Sequence, residues 1–161
     1  MSRLVQDCVI ESASPEATRR LGAALAALLP RGAVVALRGD LATGKTCLVS
    51  GMATHFTEAD YVHSPTFTLV NQYGEEPALV HVDLYRLGGP DEVAELGYAE
   101  LFDSDDVCVV EWAERAENLL PEVRMDIWLE HAGYDLRRLT FHNRDLLDGD
   151  WQSRLRSAAG L

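Results

Sequence analysis

Apolar positions recur along this chain with two different periods, and the change from one to the other marks its elements. Ala33-Val34-Val35-Ala36-Leu37 is an unbroken apolar run that reads as a buried strand. Ahead of it, Leu21, Leu25, Leu28 and Leu29 recur at helical spacing after Ser14-Pro15-Glu16. That triplet supplies a serine cap, a proline at the first helical position and an acid in the first turn, and Pro30-Arg31-Gly32 ends the helix. Behind the apolar run, Cys47, Leu48, Val49, Met52 and Phe56 predict a second helix reaching about Phe56. Residues 4–11 suggest a short strand, and Phe67 to Gln72 alternates as a strand does. Gly74 to Pro77 reads as a turn. Ala78 to Asp83 and Val107 to Trp112 are apolar strands that each carry an acid at or near the carboxyl end.

The last third reads differently. Residues 123–130 and 135–142 are strand-like around His131-Ala132-Gly133-Tyr134, which predicts a hairpin. A terminal helix over about 148–158 turns Trp151 and Leu155 inward. Between Asp83 and Val107 the expectation is a loop, Tyr85 to Pro90, and a short acidic helix, Asp91 to Leu96. Alternating helices and strands in the front half favour a parallel core. The expected fold is α/β and P-loop NTPase-like: a central, mostly parallel sheet flanked by helices and extended by antiparallel strands, including the C-terminal hairpin. With 161 residues, one domain across 1–161 is expected.

The junction of the apolar run and the second helix carries the chemistry. Gly39 to Thr46 reads GDLATGKT and matches G-x-x-x-x-G-K-[ST], in the strand–loop–helix setting that gives the pattern its mechanism. Backbone N–H groups and a helix N-terminus face an anionic pyrophosphate there. Lys45 is expected to reach the β- and γ-phosphates and the Thr46 hydroxyl to bind Mg²⁺. Lys45 is also the only lysine in the chain; every other basic side chain, histidine aside, is arginine. A compact ammonium suits a loop wrapped round phosphate better than a forked guanidinium does.

Composition narrows the alternatives. Hydrophobic residues at 47% and charged residues at 25% describe an ordinary globular chain, and no apolar run approaches the roughly 18 residues of a membrane span. The N-terminal stretch lacks a signal peptide's apolar core, so a cytoplasmic protein with no membrane partner is expected. Cys8, Cys47 and Cys108 lack C-x-x-C spacing, and Cys8 and Cys108 read as buried thiols. A net charge of −12 argues against a broad nucleic-acid-binding face. The arginines gather late, at Arg137, Arg138, Arg144, Arg154 and Arg156, and read mainly as a solvated charged surface.

Two acids are placed to share the metal with Thr46. Asp83 and Glu111 both end apolar strands, and a P-loop site takes its second metal contact from such an acid. Either can also orient the attacking water. Ser64-Pro65-Thr66 lies between the P-loop helix and Asp83, where a γ-phosphate-sensing switch would place a threonine. Trp112, directly after Glu111, reads as a nucleotide cover, a docking residue or a core tryptophan. His63 and His81 read as structural, with no partner assigned.

Taken together, GDLATGKT, SPTFTLVNQY, HVDLYRL and VEWAE resemble the TsaE family, also called YjeE, in order and spacing over nearly the whole chain. Generic P-loop kinases and GTPases do not carry the middle two motifs. One departure is Ala42-Thr43, where the family usually has Gly-Ala, so position 42 has less backbone freedom here. The resemblance implies an ATPase needed to make N6-threonylcarbamoyladenosine at position 37 of tRNA. It implies TsaB- and TsaD-like partners, with tRNA met indirectly through their complex, and ATP/ADP and Mg²⁺ as cofactors. It assigns phosphate binding to Gly39, Asp40, Leu41, Ala42, Thr43, Gly44, Lys45, Thr46 and Cys47. Thr46 and Glu111 hold Mg²⁺, Asp83 helps hydrolysis, Thr66 belongs to the switch, Trp112 lies beside the site and Arg137 touches the nucleotide.

Three rival readings stand beside this one. A P-loop small-molecule kinase would need a substrate pocket and an arginine-bearing lid. A GTPase switch is disfavoured because the chain has no N-K-x-D element and Asp83 is followed by Leu-Tyr-Arg. A nucleotide-gated binding module with incidental hydrolysis merges into the favoured reading.

Overall fold

The computed structural model describes residues 6–39, 44–57, 70–75, 77–84 and 102–161. Seven strands form one mixed sheet: β1 (Gln6–Ser12), β2 (Val34–Arg38), β3 (Val70–Tyr73), β4 (Leu79–Asp83), β5 (Val107–Glu111), β6 (Arg124–His131) and β7 (Arg137–Arg144). Their order across the sheet is β1-β7-β6-β2-β5-β4-β3. The pairs β6–β2, β2–β5 and β5–β4 are parallel, and β1–β7, β7–β6 and β4–β3 are antiparallel. A parallel centre with antiparallel flanks, one of them the C-terminal hairpin, is the expected architecture.

Strand β1 is one of the antiparallel strands that extend the parallel core. It pairs antiparallel with β7 at the sheet edge, three places from β2. Its residues explain why. Cys8, Ile10 and Ser12 are buried while Asp7, Val9 and Glu11 are exposed, so only one face of the strand is apolar. The central strands β2 and β5 are buried along nearly their whole length, as parallel strands covered on both faces must be.

Among the described residues, three helices, α1 (Pro15–Leu28), α2 (Lys45–Ala53) and α3 (Trp151–Ala159), contribute to one core on a single face of the sheet. Ser14 caps α1, its side chain accepting from Ala17 N at 3.1 Å, and Pro15 stands at the first position, as expected. Leu21 and Leu25 of α1 and Trp151 and Leu155 of α3 are wholly buried against Val35, Leu37, Ile127 and Phe141. On the other face, Val34, Ala36, Val82, Cys108 and Val110 meet Ala113 and Leu119 of a 3₁₀ helix, Ala113–Leu119. Cys8 and Cys108 are buried thiols, and desolvation pushes Cys108 up to about 12.

The contact between α1 and α2 holds the P-loop helix against the sheet. It depends on two glycines facing opposite backbones. A Cβ at Gly22 would lie 2.2 Å from Leu48 O, and one at Gly51 would lie 2.0 Å from Arg19 O. No side chain fits either place without parting the helices. Helix α2 ends at Ala53, sooner than its apolar spacing suggests, and Phe56 packs on the core from the following turn. The expected acidic helix at 91–96, the loop at 85–90 and the strand positions 67–69 lie outside the described residues.

Candidate functional site at the carboxyl edge of the parallel strands

One rung of the sheet carries the acids. Leu37 of β2 stands opposite Glu111 of β5, and Glu111 opposite Asp83 of β4. Two residues after Leu37, the chain passes Gly39, whose φ of 135° suits glycine. It re-enters the described region at Gly44, the N-cap of α2, with φ 103°. The candidate site is the place where β2, β4 and β5 end together and α2 begins, the usual place for a ligand in an open parallel sheet. Asp40, Leu41, Ala42 and Thr43 lie outside the described residues, as does Thr66 with the Ser-Pro-Thr segment.

Lys45 is 5% exposed, an unusual burial for an ammonium. Its Nζ donates to Gly39 O at 2.8 Å and lies 4.3 Å from the centroid of the Trp112 ring. Trp112 reaches that place through a left-handed backbone, φ 58° and ψ 42°, immediately after β5. That conformation is uncommon for a bulky residue and turns the chain sharply after Glu111. The ring is half-buried and also packs on the second core. Thr46 is exposed and Cys47 half-buried, both in the first turn of α2.

The two acids differ in setting. Glu111 is buried and Asp83 half-buried. The Glu111 carboxylate meets His81, with Nε2 2.5 Å from Oε2. His81 therefore does have a partner, contrary to its reading as a histidine without one. The signal was available in the strand period: His81 lies two residues before Asp83 and so shares its face. Arg137 opens β7, opposite Ser12 and His131, and its guanidinium donates to Leu136 O at 3.2 Å. Because β6 runs parallel to β2 with Trp128 opposite Arg38, His131 and Arg137 fall at the same sheet edge, His131 on the strand beside β2 and Arg137 one strand further out.

An ion cluster anchors the residue before the loop. Arg38 donates to Asp126 Oδ1 from Nε at 3.3 Å and from Nη2 at 3.0 Å, and pairs with Glu117 at 2.8 Å. Arg124 Nε reaches the same Oδ1 at 3.0 Å, and Arg144 Nε reaches Oδ2 at 2.8 Å. Burial works against ionisation of Asp126, but hydrogen bonds and charge from Arg38 and Arg124 outweigh it and hold its carboxyl below the usual range. Burial likewise opposes the charge on Arg38, and Glu117 and Asp126 overcome it. Sequence reasoning missed this cluster. Arg144, read as part of a solvated surface, is tied to a wholly buried aspartate.

The donor set suits a hard cation. Thr46, Glu111 and Asp83 offer only oxygen, and magnesium takes few protein ligands beside phosphate and water. Among the described residues no cluster of three or more His, Cys, Asp or Glu side chains could hold an ion unaided. A magnesium here would thus be held jointly with the phosphates.

Comparison with known proteins agrees with this geometry. Residues 12–139 match the TsaE family, described as threonylcarbamoyl adenosine biosynthesis protein TsaE. The chain is 40% identical to the tRNA threonylcarbamoyladenosine biosynthesis protein TsaE of Bacillus subtilis, over 80% of each chain. It is 39% identical to the protein of that name from Treponema pallidum, over 83% of this chain and 97% of the other. The crystal structure of Bacillus subtilis YdiB superposes with a TM-score of 0.72 at 31% identity, covering 99% of this chain and 97% of that one.

Proposed function

This chain belongs to the TsaE family, and from that premise we propose that it is a slow, magnesium-dependent ATPase acting in tRNA N6-threonylcarbamoyladenosine formation. It works in the cytoplasm as one domain, docking in its nucleotide-bound form on a TsaB–TsaD pair and resetting that pair between turnovers. tRNA is met only through that complex, in keeping with a net charge of −12.

The observation that carries this reading is the shared rung of Leu37, Glu111 and Asp83 beside the Gly39 to Thr46 loop. Loop amides and the start of α2 receive the phosphates, and Lys45 leaves Gly39 O to meet the β- and γ-phosphates. Thr46, Glu111 and Asp83 would hold a magnesium, whose chemistry would be to neutralise charge on the phosphates. Asp83, the more exposed acid, orients the attacking water. Thr66 senses the γ-phosphate, Trp112 covers Lys45 and Arg137 reaches the nucleotide from the hairpin. Adenine is preferred over guanine, since the chain has no N-K-x-D element.

Phosphate release from ATP, measured for the purified chain alone and with TsaB and TsaD, tests the proposal. Slow hydrolysis that rises with the partners is expected. Equal rates in both would remove the docking role.

A further inference from the structure

We propose that His81 is the positioning residue of this site, holding the Glu111 carboxylate in the orientation that receives the metal. The inference rests on the reading of Glu111 as a metal ligand. Strand β4 places Leu79 in the helix-side core, and strand period puts His81 and Asp83 on that face, with Val80 and Val82 in the opposite core. In register, His81 stands opposite Val109, yet its ring reaches diagonally along β5 to Glu111 Oε2. The imidazole is wholly buried and the Glu111 side chain 5% exposed.

A histidine in such a place is costly unless its polar atoms are used. Among the described residues, Nδ1 has no hydrogen-bond partner although it is buried. A purely structural histidine would satisfy both nitrogens, and an aliphatic residue would pack this strand more cheaply. Among the described residues, the contact with Glu111 is the hydrogen bond that accounts for an imidazole here. Against an ionised Glu111, which can only accept, Nε2–H is the donor to Oε2; that bond stops a three-torsion side chain from rotating and leaves Oε1 for a metal. Partners behind a metal-binding carboxylate act in this way generally.

Equilibrium nucleotide binding, with Mg²⁺ and with EDTA, separates this role from a structural one. In the wild type, Mg²⁺ should tighten ATP binding by a measurable factor. His81→Leu should lose roughly tenfold or more of that factor while metal-free ADP binding stays unchanged. His81→Gln, whose amide nitrogen falls near Nε2, should restore it; His81→Asn, whose nitrogen falls near Nδ1, should not. An undiminished magnesium effect in His81→Leu, or equal behaviour of Gln and Asn, would overturn the proposal. Glu111→Gln separates the layers. If that variant keeps the full magnesium effect, the metal-ligand reading of Glu111 is wrong; if it alone loses the effect, only the role of His81 is.

Discussion

The Lys45 ammonium stands 4.3 Å from the centroid of the Trp112 ring while it donates to the Gly39 carbonyl oxygen. Lysine and tryptophan come from opposite sides of the site, one opening α2 and one following β5. A cation over an indole face is worth about 0.5–2 kcal/mol, so a competing phosphate can draw the ammonium away. Nucleotide should therefore change the emission of Trp112. Trp151 is wholly buried in the α3 core and Trp128 lies under Arg38 on another strand, so neither shares this contact. The expected result is a change in tryptophan fluorescence on adding ADP or ATP, most of it absent from Trp112→Phe. An equal change in that variant would separate Trp112 from the nucleotide.

The crossing of α1 and α2 predicts a stability effect with no chemistry in it. Gly51→Ala puts a methyl where Arg19 O already lies, at 2.0 Å. Overpacking against a backbone atom should cost about 2 kcal/mol, roughly 4–8 °C in Tm for a chain of this size. Calorimetry checks this. An unchanged Tm would mean that the helices separate freely.

Asp126 sets an acid-side prediction. Its folded pKa lies below the ordinary carboxylate value, so its contribution is fully present above the unfolded pKa of about 3.9. That contribution falls as pH drops below this value towards the folded pKa. Asp126→Asn leaves Arg38, Arg124 and Arg144 without their shared anion and should cost about 3 kcal/mol at neutral pH. Urea unfolding between pH 7 and pH 3 should show a lower midpoint for the variant and a flatter acid limb. Parallel curves for both proteins would contradict the ion cluster.

Much of this architecture could be read from residue order because local signals agreed with the global fold. The β2 run, the serine–proline start of α1 and the inward Trp151 and Leu155 each needed only period and capping rules. The pairing of β1 needed more. Its alternation is visible in Asp7, Cys8, Val9 and Ile10, but nothing local says that its neighbour is β7, more than a hundred residues later. The same limit hid Arg38 with Asp126, and it hid Glu111 as the partner of His81, although strand period already put His81 on the face of Asp83. At the site, the loop pattern named Lys45 and Thr46, while the rung joining Asp83 to Glu111 required the sheet itself.

In the proposed function, nucleotide held at the Gly39 to Thr46 loop drives repeated rounds of tRNA modification by partner proteins. Multiple-turnover formation of N6-threonylcarbamoyladenosine on tRNA, with TsaB, TsaD and the enzyme making threonylcarbamoyl-AMP, tests it most directly. Three samples are compared: this chain, no chain, and a folded Lys45→Ala variant. Product well beyond one equivalent per complex is expected only with the intact chain, and at most a single round in the other two. Equal multiple-turnover yield without the chain, or with Lys45→Ala, would contradict it.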